Sequence, residues 1–481
     1  MSISTAMKSR NNVKRLGIVG IVLIFVFAVP TVLHSTNEPD LTGGWRGSLA
    51  TPRGELRLIL ALDRTWYGAY SGTVESIDQN PGEMIQMSHV SVANGKLRFA
   101  VEQFGASYVG TVVEQGTRIQ GTLSQGRNLD LVFERSEGVP EIRFSTARPQ
   151  HPVGIAPYQI EEVSFHNVDD TEVVMSGTLT VPESDGPFPV VILISGSGPQ
   201  DRDQTVFDHR PFWVLADTLT RAGIAVLRYD DRGTAQSTGD YGSATIADFA
   251  SDAQAAVQFL ANHPEREFSA IGLAGHSEGG LVAPIVARLN PDVEFLVLLA
   301  APAVPIRELM LAQTREFLEV RGDSAAIIER GMPIQAQLMD IAGRDTSHST
   351  AVGEINAVLT DEELAALGEP RDARDQVIGS MLRPWYRHII IHDPAPYLSD
   401  LNIPVLAMIG SKDTQVDPAT NLDALRRNLA NTQDSTIVEL PGLNHLFQTA
   451  QTGSMDEYGM IEQTFHPEAM ARIISWIDAR F

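Results

Sequence analysis

Six times between residues 190 and 440 the chain returns to a short, strongly apolar run: 190–195, 224–229, 270–274, 295–300, 405–409 and 436–440. Runs of this length, apolar on successive positions, predict strands buried on both faces. Helix-length stretches such as 212–222 and 246–262 separate most of them. That alternation predicts a mainly parallel sheet covered by helices on both sides. Two earlier runs, 162–168 and 173–181, read as an antiparallel hairpin leading into the sheet. From 302 to about 397 the alternation is interrupted by an amphipathic helical pattern without strand runs, which predicts a helical cap inserted over the strand ends.

The run at 270–274 is followed by Gly275-His276-Ser277-Glu278-Gly279-Gly280 and then by a helical stretch from Leu281 to Leu289. Gly-x-Ser-x-Gly between a strand and a helix is the setting of a nucleophile elbow. A serine at the tip of so sharp a turn sits in strained backbone, and side chains at the flanking glycines would collide with neighbouring elements. The helix start beyond it aims free N–H groups at an attacked carbonyl. Ser277 is therefore the candidate nucleophile.

A serine hydroxyl needs a base, and the base needs an orienting carboxylate. Asp413 lies in the turn after the run at 405–409, and His445 in the turn after the run at 436–440. The order Ser, Asp, His is the one expected on a sheet of this kind, with all three at its carboxyl edge. Asp417 is the alternative acid. His466 precedes Pro467 at a helix start and reads as a cap or surface residue, while His388 and His392 fall on the insert, where they could touch substrate, but follow no strand. Donors for a developing oxyanion are expected from the amide of Glu278 and from the glycine-rich loop 195–203, where Ser197 is the candidate. That loop lacks Gly-x-Gly-x-x-Gly spacing, which counts against a dinucleotide site.

A chain of 481 residues calls for two or three units. Residues 1–35 hold Lys8, Arg10, Lys14 and Arg15 ahead of an uncharged apolar run at 16–33, the pattern of a signal peptide or an uncleaved membrane anchor. Either places the bulk of the chain outside the cytoplasm, periplasmic or extracytoplasmic. Residues 41–136 show glycine-broken alternating runs, at 55–60, 70–74, 96–101, 108–113, 119–123 and 129–133, and predict a small all-β sandwich or barrel. The stretch 137–158, with four prolines, reads as a linker to a unit at 159–481. A formal charge of −24 argues against nucleic acid as a partner. The absence of cysteine excludes disulfides, thiolate metal sites and a cysteine nucleophile.

Four segments carry a resemblance: Ser195 to Asp203, Arg228-Tyr229-Asp230-Asp231-Arg232-Gly233, Gly275 to Gly280, and the Asp413 turn with Gly442-Leu443-Asn444-His445. Over roughly 161–481 the chain resembles secreted or membrane-anchored bacterial α/β-hydrolases of the serine esterase and S33/S9-like type. It departs from them in having Ser195 where many have histidine, and in lacking a second glycine after Arg232-Gly233. The resemblance implies an α/β-hydrolase fold preceded by the small β unit. It also implies hydrolysis of small-molecule acyl esters by Ser277, Asp413 and His445, with no cofactor or metal. A peptidase or a thioesterase would use the same machinery, and a binding protein acting through the β unit is the non-enzymatic alternative. Within the cap, Leu309, Phe317, Leu318, Met339 and Ile341 are expected to wall an acyl pocket or to form the insert's own core.

Overall fold

The computed structural model describes residues 40–136 except 52–53, 65–69, 80–84, 94 and 102–103, and residues 148–481 except 321–322, 368–370 and 372. The N-terminal apolar run therefore lies outside the described residues. Among the described residues no helix is long and apolar enough to cross a membrane.

The described residues between 43 and 135 form one antiparallel sheet of nine strands: β1 (Gly43–Thr51), β2 (Gly54–Arg64), β3 (Tyr70–Ser76), β4 (Ile85–Gln86), β5 (Ser88–Ala93), β6 (Lys96–Val101), β7 (Ala106–Val113), β8 (Arg118–Ser124) and β9 (Asn128–Arg135). Their order, β4-β3-β2-β1-β9-β8-β7-β6-β5, curls so that β5 lies beside β3 in a barrel-like arrangement. Alternation of side chains decides the interior: Leu97, Phe99 and Val101 of β6 point inward, as do Ala106 and Tyr108 of β7. Trp45, Tyr108 and Phe133 are fully buried, with Tyr108 stacked on Phe99 and edge-on to Phe133. Strand β1 escapes the alternating pattern because three glycines dilute it. At Gly47 the Phe133 ring fills the space, and a Cβ would come within 2.8 Å of it.

The second sheet has eight strands: β10 (Tyr158–His166), β11 (Val174–Pro182), β12 (Phe188–Ile194), β13 (Ala225–Tyr229), β14 (Phe268–His276), β15 (Val293–Leu299), β16 (Val405–Gly410) and β17 (Ser435–Leu440). The order is β10-β11-β13-β12-β14-β15-β16-β17, and β11 alone runs against the rest. Every strand expected from the apolar runs is present. Helices α1 (Pro211–Arg221), α2 (Ile246–Ala261) and α3 (Gly279–Leu289) connect the central strands. Along β12, Val190, Ile192 and Ile194 join the core shared with α2 and α3, while Val191 and Leu193 face α1 and the C-terminal helix. Both faces are covered, which is why these strands read as continuous apolar runs.

Among the described residues seven helices lie between β15 and β16: α4 (Ile306–Val320), α5 (Ala325–Ala342), α6 (His348–Val358), α7 (Asp361–Leu367), α8 (Ala373–Met381), α9 (Pro384–Ile389) and α10 (Ala395–Ser399). Leu309, Leu318, Met339 and Ile341, expected to wall a pocket or to form a core, are buried. Leu309, Met339 and Ile341 belong to the hydrophobic cluster of the insert and sheet. For Leu309 and Met339 the core alternative holds, since an amphipathic helix is stabilised by burying its apolar side, while Ile341 also lines a cavity of about 520 Å³ with Ile334, Ala357 and Val358. The chain closes with α11 (Pro418–Asn428) and α12 (Pro467–Asp478). In the stretch read as a linker, residues 148–150 are tied down: Gln150 bonds the Phe465 carbonyl and accepts from the Thr464 and Phe465 amides.

Candidate active site

Strands β12 and β14 are neighbours, pairing Ile194 with Gly275, so the loops that leave their carboxyl ends emerge side by side. One is the glycine-rich loop with Ser197; the other is the turn carrying Ser277. Ser277 adopts φ +53°, a left-handed conformation rare for a residue with a side chain. Its amide is pinned to the Leu299 carbonyl at 2.9 Å, and its own carbonyl accepts from the Gly280 amide at 2.9 Å. The flanking glycines are sterically required. A Cβ on Gly275 would lie 2.1 Å from the Gly279 carbonyl oxygen, and one on Gly279 would lie 2.2 Å from that of Ile194.

Strands β16 and β17 are also paired, Gly410 with Leu440, which brings the Asp413 and His445 turns together. The Lys412 amide donates to the Leu443 carbonyl at 2.9 Å, and the Gly442 amide donates to Ser411 Oγ at 2.8 Å. His445 Nδ1 stands 2.8 Å from Asp413 Oδ2, both side chains being buried. The other oxygen, Asp413 Oδ1, accepts from the amides of Gln415 and Val416 at 2.8 Å each. With the carboxylate so held, Nδ1 of His445 donates and Nε2 is left with its lone pair to act as a base.

Asp417, the alternative acid, is engaged otherwise. It caps α11, accepting from the Thr420 amide at 2.8 Å. His466 caps α12, as expected of a residue before a proline at a helix start. His392 is buried against Tyr397, and burial holds its imidazole below the usual range.

Of the consecutive amides after β12, Gly196 N–H donates to Gln204 Oε1 at 3.0 Å and Gly198 N–H to the Tyr241 hydroxyl at 2.9 Å. Among the described residues the intervening Ser197 amide has no acceptor, and neither has that of Glu278. These are the two amides expected to serve an oxyanion. A Cβ on Gly196 would lie 3.3 Å from Ser277 Cβ, so this loop abuts the nucleophile turn directly.

The two charged motifs prove to be halves of one clamp. Arg202 bonds Asp230 through Nη2 at 2.7 Å, Arg228 pairs with Asp203, and Arg232 holds Asp252 at 2.7 Å. Asp231 accepts from Ser195 Oγ at 2.7 Å and from the Gln200 amide at 2.9 Å. The clamp thus fixes the loop that presents Ser197. Complementary charge in Asp-Arg-Asp and Arg-Tyr-Asp-Asp-Arg was the available signal, though pairing across 25 to 28 residues cannot be read from spacing. Gln204 and Trp385 carried no signal at all. Trp385, on α9 of the insert, donates its indole N–H to Glu278 Oε1 at 2.7 Å. Burial pushes the Glu278 carboxyl up to about 7 and that of Asp231 up to about 8. Both line a cavity of about 20 Å³ beside the loop that presents Ser197, with Ser195, Tyr229 and Tyr241, large enough for about one water.

Strand order 1-2-4-3-5-6-7-8 with the second strand reversed, and a Gly-x-Ser-x-Gly elbow after the fifth, decides the architecture. The fold is that of the α/β-hydrolases. Residues 211–352, which include Ser277 but neither Asp413 nor His445, match the serine aminopeptidase S33 family. The chain is 27% identical over 290 residues to esterase EstD of Thermotoga maritima; this covers 60% of the chain and 62% of that protein. Among solved structures, it is similar to the Pyrococcus furiosus esterase Pf2001, at 16% identity and TM-score 0.42 over 70% of this chain and 97% of that one. It is also similar to the proline iminopeptidase of Mycobacterium smegmatis, at 17% identity and TM-score 0.39 over 66% and 98%.

Proposed function

We propose that this α/β-hydrolase is a serine esterase, cleaving carboxylic esters through an acyl-enzyme. Ser277 Oγ attacks the ester carbonyl, His445 Nε2 takes its proton, and Asp413 holds the imidazole and stabilises its charged form. The Ser197 and Glu278 amides receive the oxyanion. His445 then returns the proton to the leaving alcohol, and a water activated by the same nitrogen releases the acid. The observation that carries this reading is the buried Asp413–His445 pair at 2.8 Å on the sheet edge that holds Ser277 at φ +53°. The similarity to EstD supports esters as the substrate class.

The S33 match supports a second reading, an aminopeptidase with the same triad. A panel of p-nitrophenyl esters and aminoacyl-p-nitroanilides separates the two, with ester turnover expected to dominate. A fluorophosphonate probe should label the parent enzyme, and Ser277→Ala should abolish both labelling and turnover while the melting temperature stays nearly unchanged. Turnover by purified Ser277→Ala at the parent's rate would refute the proposal. The basic flank before the apolar run at 16–33 supports an extracytoplasmic location, exported or membrane-anchored. Fractionation of cells expressing the full chain tests this.

A further inference from the structure

Two buried polar side chains at the site have no part in the chemistry just described, yet they connect its components. Gln204 follows the glycine-rich loop, is 4% exposed, and holds a left-handed backbone at φ +52°. His276 immediately precedes the nucleophile and is 5% exposed. Gln204 Nε2 lies 2.9 Å from His276 Nδ1, and His276 Nε2 lies 3.0 Å from the main-chain oxygen of His445. Gly196 N–H reaches Gln204 Oε1 at 3.0 Å.

These contacts admit one assignment of protons. A carbonyl oxygen only accepts, so His276 Nε2 must carry the hydrogen. Burial, and then the neighbouring His445, push the His276 imidazole down to about 3, so it is neutral and Nδ1 accepts. Gln204 must therefore donate through Nε2, which leaves Oε1 to accept from Gly196. The chain of bonds starts one residue before the candidate oxyanion donor Ser197. It passes beside the nucleophile and ends on the backbone of the candidate base.

We propose that Gln204 and His276 are positioning residues, a relay that sets the spacing between the Ser197 amide and the His445 imidazole across the nucleophile turn. This inference rests on the roles given above to Ser277, His445 and Ser197. Oxyanion donors act only where the developing charge will be, and displacement of about 1 Å can cost about a hundredfold in rate. Three loops from three strands meet here, and the relay joins all of them.

The test is steady-state kinetics on p-nitrophenyl acetate with Gln204→Leu, His276→Phe and the double variant, each confirmed as folded by its thermal transition. Each single change should lower kcat by about a hundredfold with KM moving less than about threefold, because positioning acts on the transition state. The double variant should be no slower than the worse single, since a broken relay is broken once. Parent-like kcat in Gln204→Leu, losses that multiply in the double variant, or losses confined to KM would each overturn the relay. Should His276→Phe fail to fold, Gln204→Met carries the test. It keeps the length of the side chain and removes both the acceptor for Gly196 and the donor to Nδ1, so a lowered kcat is expected and an unchanged kcat overturns the relay. Failure of the underlying esterase reading appears elsewhere, as turnover by Ser277→Ala.

Discussion

The carboxyl edge of the sheet and the helical insert above it are built by different rules. At the edge, main-chain bonds tie each loop to the neighbouring strand end or loop: Ser277 to Leu299, Lys412 to Leu443, Ala300 to Met408. Glycines stand where no Cβ fits, and buried polar atoms satisfy one another. In the insert, the described helices bury apolar sides in a common cluster, and charges pair at the surface, as in Arg330–Glu363 and Arg344–Glu354. Its contacts with the edge include Trp385 on Glu278 and Gln313 on the Gln415 carbonyl. A frame that places reacting atoms tolerates little change in geometry. An insert held by apolar packing and exposed ion pairs can be reshaped while the frame persists.

The largest contrast should come from the two aspartates of one turn. Asp413→Asn is expected to lower kcat by about 10⁴-fold, since the imidazole loses the acceptor that fixes its tautomer. Asp417→Ala should leave kcat close to the parent's and cost about 1 kcal/mol in denaturant unfolding, the value of a helix cap. A rate loss in Asp417→Ala matching that of Asp413→Asn would erase the distinction drawn at this turn. Next comes Gly279→Ala, whose Cβ meets the Ile194 carbonyl oxygen at 2.2 Å. Overpacking of this kind costs about 1–3 kcal/mol, and fluorophosphonate labelling should fall with it. The same change at Gly353 of the insert, where nothing lies within 4 Å, should leave labelling unaltered.

Trp385→Phe sharpens the comparison at the point where insert and edge touch. It leaves the buried Glu278 carboxyl without its indole donor, a loss of about 1–3 kcal/mol in unfolding free energy. The preference among p-nitrophenyl esters of different acyl length should shift more than the rate on acetate. A smaller effect follows from protonation. Glu278 in the folded protein holds its proton up to about 7, against a usual value of 4.5. The folded state therefore binds more protons than the unfolded chain between those values, and this group's contribution to stability is lost as pH rises through that window. Thermal melts from pH 4.5 to 7.5 should show a shallower decline in Glu278→Gln than in the parent; identical slopes would show that Glu278 is already ionised. The smallest effect belongs to the insert surface. Arg330→Ala breaks an exposed ion pair and should change stability by less than about 1 kcal/mol, with kcat unmoved.

Much of this organisation is legible along the chain. The central strands of the second sheet announce themselves because both their faces are covered, and the elbow does so because its glycines are sterically obligatory. Strand β1 is hidden by Gly43, Gly44 and Gly47, and at Gly47 the side-chain space is filled by Phe133. The expected apolar wall dissolves into core at Leu309 and Met339, because periodicity tells which side of a helix is buried and not against what.

By itself the sequence determined the alternation of strands and helices, the Ser-Asp-His order, and the turns in which those residues lie, since these depend on local sterics and on patterns a few residues long. Only the tertiary structure decided that Asp413 faces His445 while Asp417 caps a helix, and that the two charged motifs clamp each other. It also decided that His276 links Gln204 to His445, across 72 and 169 residues of chain. The physical reason is that a hydrogen bond depends on direction and on separations near 3 Å, which are set by how the strands are ordered in the sheet and not by distance along the chain.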